Sequence, residues 1–190
     1  MRHVISALVV NEPGVLANVA GMFAARGFNI DSLVVGRTED PDLSRMTIVV
    51  DADENTLEQV RKQLAKLVPV TQVKDFQGSS YIERDLALIT VTAQPDQRAE
   101  VIEVVNLFRG EVVDVGKETL LVQVSGKETK IEAFVELVRP YGIRELARTG
   151  VIAMMRGMQP GKSAEKPAVP GAQKRKRSID APSAPALPPS

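Results

Sequence analysis

One arrangement of apolar and polar residues occurs twice along the chain, in the same order, and each occurrence is as long as a small domain. In the first, Val4, Ile5, Leu8, Val9 and Val10 form an apolar run of strand type. Asn11-Glu12-Pro13-Gly14 follows as a turn and helix start, because asparagine caps helices and proline suits their first turn. Val15, Val19, Met22 and Phe23 then recur at spacings of three and four, the period of one buried helix face, and Gly27 marks the C-terminal stop. Two strands are predicted over 28–37 and 45–51, separated by the polar loop Thr38-Glu39-Asp40-Pro41-Asp42. A second helix is marked by Leu57, Val60, Leu64, Leu67 and Val68 and ended by Pro69, ahead of a strand over 70–76.

Gly78-Ser79-Ser80 opens a linker assigned to 78–84, after which the order repeats. A strand over 86–92 leads to a helix over 96–108 with the stripe Val101, Val104, Val105 and Phe108. Strands over 111–115 and 119–124 precede a helix over 127–138 with the stripe Ile131, Phe134, Val135 and Val138. Residues 143–148 and 151–155 supply closing strands. Each half reads βαββαβ, which predicts an α+β protein of two tandem ferredoxin-like units, over 1–77 and 85–157, each an antiparallel sheet with helices on one face. Units this small bury a modest share of their surface, and the helix-free sheet face needs a cover, so a dimer or larger assembly is expected.

Residues 158–190 break the pattern. They hold seven of the twelve prolines, with six Lys or Arg against two Asp or Glu, so the formal charge of zero divides into +4 there and −4 on the body. Such a stretch cannot bury enough apolar surface to offset its ordering entropy, and a flexible Pro-rich tail is expected, with Lys174-Arg175-Lys176-Arg177 read as a solvated charge run.

Composition removes several function classes. The chain has no cysteine and one histidine, His3, which excludes disulfide frameworks, thiolate nucleophiles and the usual zinc clusters. The acidic body argues against nucleic acid, and the strands over 4–10 and 45–51 carry no aromatic on which a base could stack. Asp31, Asp51 and Asp114 are candidate acids or bases, but nothing in the sequence places them together. No apolar run approaches the roughly 20 residues that cross a bilayer, and the first ten residues lack the regions of a secretory signal, so a cytoplasmic protein without a membrane contact is expected.

The first turn is the candidate binding site. Asn11 and Gly14 bracket a helix N-terminus, whose unpaired N–H groups and positive dipole end suit a carboxylate. Asn29 offers an amide that both donates and accepts, which fits the ammonium and carboxylate of an amino acid. Val15, Leu16 and Ile30 add an aliphatic wall. On spacing alone, Asn-x-Pro-Gly is more often a plain capped turn.

Three stretches together carry a resemblance: Asn11-Glu12-Pro13-Gly14-Val15-Leu16, then Arg26-Gly27-Phe28-Asn29-Ile30-Asp31-Ser32-Leu33, then Ser44-Arg45-Met46-Thr47-Ile48. They resemble the ACT domain of the regulatory small subunit of acetohydroxyacid synthase, also called acetolactate synthase. Arg84-Asp85-Leu86-Ala87-Leu88 and residues 149–157 look like that family's second half. The resemblance implies a homodimer formed through ACT domains, without a catalytic site or bound cofactor of its own. It implies a catalytic large-subunit partner carrying thiamine diphosphate, magnesium and FAD, which the small subunit activates and subjects to feedback inhibition by valine. Carried over residue by residue, Asn11, Pro13, Gly14, Val15 and Leu16 hold valine from one ACT domain, and Asn29 and Ile30 close over it from a second copy. The second repeat has Gln94-Pro95-Asp96-Gln97 at the equivalent helix start, with no glycine and an added carboxylate, so no valine is expected there. Residues 38–44 are the candidate contact with the large subunit. The alternative is an amino-acid-sensing ACT regulator of a different biosynthetic enzyme.

Overall fold

The computed structural model describes residues 1–157, and the tail expected over 158–190 lies outside the described residues. The first domain runs β1 (Arg2–Val10), α1 (Val15–Ala24), β2 (Ser32–Arg37), β3 (Leu43–Asp51), α2 (Glu54–Leu64) and β4 (Val70–Asp75). Its sheet has the order β2-β3-β1-β4, antiparallel throughout. β1 is central because its residues are apolar on both faces, and it pairs with β3 along its length, from Arg2 opposite Asp51 to Val10 opposite Leu43. Alternation sends Ile5, Ala7 and Val9 of β1, with Met46, Ile48 and Val50 of β3, into a core shared with Val19 and Phe23 of α1 and Leu57, Val60 and Leu64 of α2.

The second domain runs β5 (Tyr81–Thr92), α3 (Arg98–Leu107), β6 (Glu111–Val115), β7 (Thr119–Gly126), α4 (Glu128–Val138), a 3-10 turn (Arg139–Tyr141), β8 (Ile143–Arg148) and β9 (Ile152–Met155). Its order β6-β7-β5-β8 repeats that of the first sheet, so the expected pair of ferredoxin-like βαββαβ units is present. Ala87, Ile89 and Val91 pack with Leu120, Val122 and Val124 beneath Val101, Ile131 and Phe134. β9 is an addition, pairing only with the beginning of β5.

Three local expectations are corrected. Asn11 does not cap α1; Gly14 does, at φ 85° and without a side-chain hydrogen bond. The left-handed backbone that turns the chain into the helix is one that glycine adopts without a Cβ penalty. α2 stops at Leu64, a turn earlier than its apolar stripe suggests. Lys66 and Leu67 donate to the carbonyls of Gln63 and Leu64 in a tightened last turn, and Pro69 disfavours helical backbone at Val68, which is 92% exposed. At its start, Asp53 accepts from the Thr56 N–H at 2.7 Å, a bond that also holds the Asp53 carboxyl below its usual range.

The third correction concerns the linker. Residues 81–84 are not linker but the opening of β5, paired with β9 from Tyr81 opposite Met155 to Arg84 opposite Ile152. Their partner is distant in the sequence, so no local pattern announces the strand. β9 also covers part of the helix-free face of the first sheet, where Val151 and Ala153 pack with Val4, Val49 and Phe76. The cover expected from another unit is thus partly supplied from within the chain. On β9 itself, Ile152 and Met154 remain 54% and 64% exposed.

Candidate functional site

The start of α1 differs from the other three helix starts in its charge. α2, α3 and α4 carry Glu54, Glu100 and Glu128 in their first turns, whereas α1 has no acidic residue there; like α3 and α4, it has no side-chain cap. A Cβ built on Gly14 would meet nothing within 4 Å, so the approach to the helix N-terminus is open. The first turn of α1 suits a carboxylate through its N–H groups and the positive end of the helix dipole, while Glu12 lies two residues before Gly14. Leu16 is 47% exposed beside this opening, while Val15 is 6% exposed and packs into the domain core beneath the turn. Pro13 is exposed at the turn's crest.

Asn11 is held by the loop over residues 38–44. Its Nδ2 donates to the Pro41 carbonyl at 3.0 Å, its Oδ1 accepts from Ser44 Oγ at 3.1 Å, and its N–H donates to the Asp42 carbonyl at 2.8 Å. The loop is braced internally by Thr38 Oγ1, which donates to the Leu43 carbonyl at 3.2 Å, and by the Asp42 N–H, which donates to Asp40 Oδ1 at 3.0 Å. The acidic loop and the first turn therefore form one unit. Asn29 is exposed ahead of β2, with Nδ2 donating to Asp31 Oδ1 at 2.8 Å, and Ile30 is half-buried against the core. In a single chain, Asn11, Pro13, Gly14, Val15 and Leu16 share one turn, and Asn29 and Ile30 lie on the segment leading into β2.

The second repeat is built differently at the same place. Arg98, in the first turn of α3, donates through Nη2 to the carbonyls of Gly116 and Lys117 at 2.9 and 2.7 Å, so a side chain fastens the β6–β7 turn to the helix start. The candidate carboxylates do not converge: Asp31 and Asp51 are exposed in the first domain and Asp114 is exposed on β6 of the second. Among the described residues no group of three or more His, Cys, Asp or Glu is placed to hold a metal ion. His3 is buried, and its Nε2 donates to the Ala52 carbonyl at 3.1 Å. A groove of about 530 Å³ between α1 and the end of α2, lined by Asn18, Met22, Arg26, Gln63 and Lys66 among others, includes none of the candidate binding residues.

Comparison with known proteins gives the same division of the chain. Residues 5–72 match the family model for the AHAS small subunit-like ACT domain, and residues 84–157 match that for the small subunit of acetolactate synthase. A probable acetolactate synthase small subunit of Archaeoglobus fulgidus is 54% identical over 157 residues, covering 83% of this chain and 98% of that protein. The Bacillus subtilis acetolactate synthase small subunit is 45% identical over 167 residues, covering 87% and 97%. The chain belongs to the acetolactate synthase small subunit family. A crystal structure of the acetolactate synthase small subunit from Thermotoga maritima superposes with a TM-score of 0.77 at 42% identity, over 83% of this chain and 98% of that one. Both small-subunit models end by residue 157, so residues 158–190 lie beyond the region they match. No helix among the described residues is long and apolar enough to cross a membrane.

One residue of structural consequence went unassigned in the sequence. Asp85 is 3% exposed and bonded to the turn between β8 and β9. Its partners, Arg148, Thr149 and Gly150, stand more than sixty positions later, and no spacing rule connects residues so far apart.

Proposed function

We propose that this chain is the non-catalytic regulatory subunit of a cytoplasmic acetolactate synthase. It raises the activity of a catalytic subunit carrying thiamine diphosphate, magnesium and FAD, and it makes that activity sensitive to valine. The observation that carries the proposal is the small-subunit match over both domains, supported by the open start of α1 at Gly14, whose first turn has no acidic residue. Two copies associate through their ACT domains. Each site takes Asn11, Pro13, Gly14, Val15 and Leu16 from one copy and Asn29 and Ile30 from the other. The valine carboxylate meets the α1 N-terminus, the amides hold its polar atoms, and Leu16 and Ile30 contact its side chain. Val15 supports the turn from below. Valine then favours one arrangement of the dimer, which activates the catalytic subunit less well; that difference in affinity between two arrangements is the whole of the allosteric effect. Residues 38–44, bonded to Asn11, are the proposed contact with the catalytic subunit.

Calorimetric titration of the purified chain with valine, leucine, isoleucine, alanine and serine tests the site. Each buried methylene contributes on the order of 0.8 kcal/mol, so the two carbons that distinguish valine from alanine are worth roughly 1.6 kcal/mol, about fifteenfold. A pocket separates neighbours differing by one methylene by only ~1–3 kcal/mol, so a partial leucine response is expected. Equal affinity for alanine and valine contradicts the aliphatic contact. Co-purification addresses the alternative partner: a thiamine-dependent enzyme is expected with the chain, and recovery of a different biosynthetic enzyme would redirect the assignment.

Deleting residues 158–190 is expected to leave the melting temperature, valine affinity and activation nearly unchanged. The deleted stretch has the composition of a solvated linker, and the Archaeoglobus fulgidus relative is matched over 98% of its length by 157 residues of this chain. A large fall in melting temperature or in activation on deletion would show that the tail takes part.

A further inference from the structure

Asp85 is the one buried carboxylate among the described residues. Its Oδ2 accepts from Arg148 Nε at 2.9 Å and Nη2 at 2.7 Å, and its Oδ1 accepts from Thr149 Oγ1 and the Gly150 N–H, each at 3.2 Å. Arg148 also pairs with Glu132. Burial works against the Arg148 charge, but Glu132 and Asp85 more than offset it and hold its pKa above the ordinary value. A buried carboxylate satisfied in this way fixes its partners, because removing one leaves charge uncompensated in the interior. The turn between β8 and β9 is therefore rigidly placed.

That turn rests on β2 of the other domain. The Val151 N–H donates to Ser32 Oγ at 3.2 Å. Gly150 lies at φ +85°, and a Cβ there would come within 2.6 Å of Ser32 Oγ and 2.9 Å of Val34 Cγ2, so both backbone and space require glycine. Ser32 directly follows Asn29, Ile30 and Asp31. The Asp31 N–H donates to the Val49 carbonyl at 2.9 Å, and Val49 packs in the same cluster as Val151 and Ala153. Arg2 adds a second tie across the junction, to Glu83 at 3.2 Å and Glu128 at 2.7 Å.

We infer that the Thr149-Gly150 turn, held by Asp85, couples residues 29–31 to the second domain, so that effector binding in the ACT domain changes the order of β9 and the start of β5. This rests on Asn29 and Ile30 being effector residues, as proposed above. Asp85 and Gly150 are positioning residues: neither touches the effector. A ligand that engages Asn29 pulls on the segment ending at Ser32, and close packing at Gly150 passes the shift on rather than absorbing it. Coupling runs both ways, so loosening the turn also loosens the effector segment.

Residue-resolved hydrogen exchange on the full chain tests this with and without saturating valine. In the unsubstituted protein, valine is expected to slow exchange at residues 16–18 and also, by at least about fivefold, at Val151 and Ala153. In Gly150→Ala the effect at residues 16–18 remains and the effect at Val151 and Ala153 disappears. Ser32→Ala, which removes only the acceptor for the Val151 N–H, gives the same pattern more weakly and serves if Gly150→Ala does not fold. Without valine, either variant is expected to speed exchange at Asp31 about tenfold or more while Val122, in the second core, is unchanged. Protection of residues 16–18 alone in the unsubstituted protein overturns the coupling. If valine protects no amide at all, the proposed function fails, and the valine-free arm decides the coupling: unchanged exchange at Asp31 in the variants overturns it, and faster exchange supports it.

Discussion

Gly14→Asp is expected to abolish the valine response of the reconstituted enzyme and to leave activation of the catalytic subunit intact. The fold tolerates the change. Gly14 sits at φ +85°, so any L-residue there costs about 1–2 kcal/mol, with aspartate among the better tolerated. The added Cβ meets nothing within 4 Å, and a carboxylate near a helix N-terminus is locally favourable. It is unfavourable only to a ligand whose own carboxylate needs the same place. Gly14→Ala separates the two contributions, since it carries the backbone strain without the charge, and is expected to weaken valine binding less. Inhibition that persists in Gly14→Asp, or activation lost with it, counts against the site.

Asn29→Ala is expected to weaken valine by about ten- to a hundredfold, the loss of one hydrogen bond to a charged ligand at roughly 1.5–3 kcal/mol. Among the described residues the amide bonds only to exposed Asp31, so stability changes little. Mixing the two variants gives a qualitative test. In a dimer with one Gly14→Asp chain and one Asn29→Ala chain, a site shared between copies leaves one site with both lesions and the other with neither. Valine binding then partly returns. If subunit exchange is demonstrated and no binding returns, Gly14 and Asn29 serve the same site from one chain.

The elements that declare themselves by period were readable in advance. The stripe Val15, Val19, Met22 and Phe23 and the stripe Ile131, Phe134, Val135 and Val138 are buried in the two cores, because a helix of that spacing has one apolar face to bury. Three features were not readable, for related reasons. Asn11 has the side chain of a helix cap but bonds to the loop over 38–44, which only the β2–β3 hairpin brings near. Tyr81 to Arg84 read as linker because their partner strand lies at the far end of the chain. Asp85 reads as an ordinary polar residue until Arg148 and the Gly150 N–H close around it. Local spacing carries information over a few turns of helix or one hairpin, while contacts between residues thirty or more positions apart appear only once the sheet that joins them has formed.

At the candidate binding turn, the sequence located the helix start and its glycine, and the structure supplied what distinguishes it. Among the described α-helices, α1 alone has no acidic side chain in its first turn. In the second repeat Glu100 stands in the first turn of α3 and Arg98 bonds across to the β6–β7 turn. Two copies of one fold thus differ at the place where a ligand would enter.

The most direct measurement is acetolactate formation from pyruvate by a matching catalytic subunit, alone, with this chain, and with this chain plus valine. The rate is expected to rise when the chain is added and to fall with valine only when the chain is present, while the chain by itself forms no product. Turnover by the isolated chain, or a catalytic rate indifferent to its addition, would contradict a regulatory subunit.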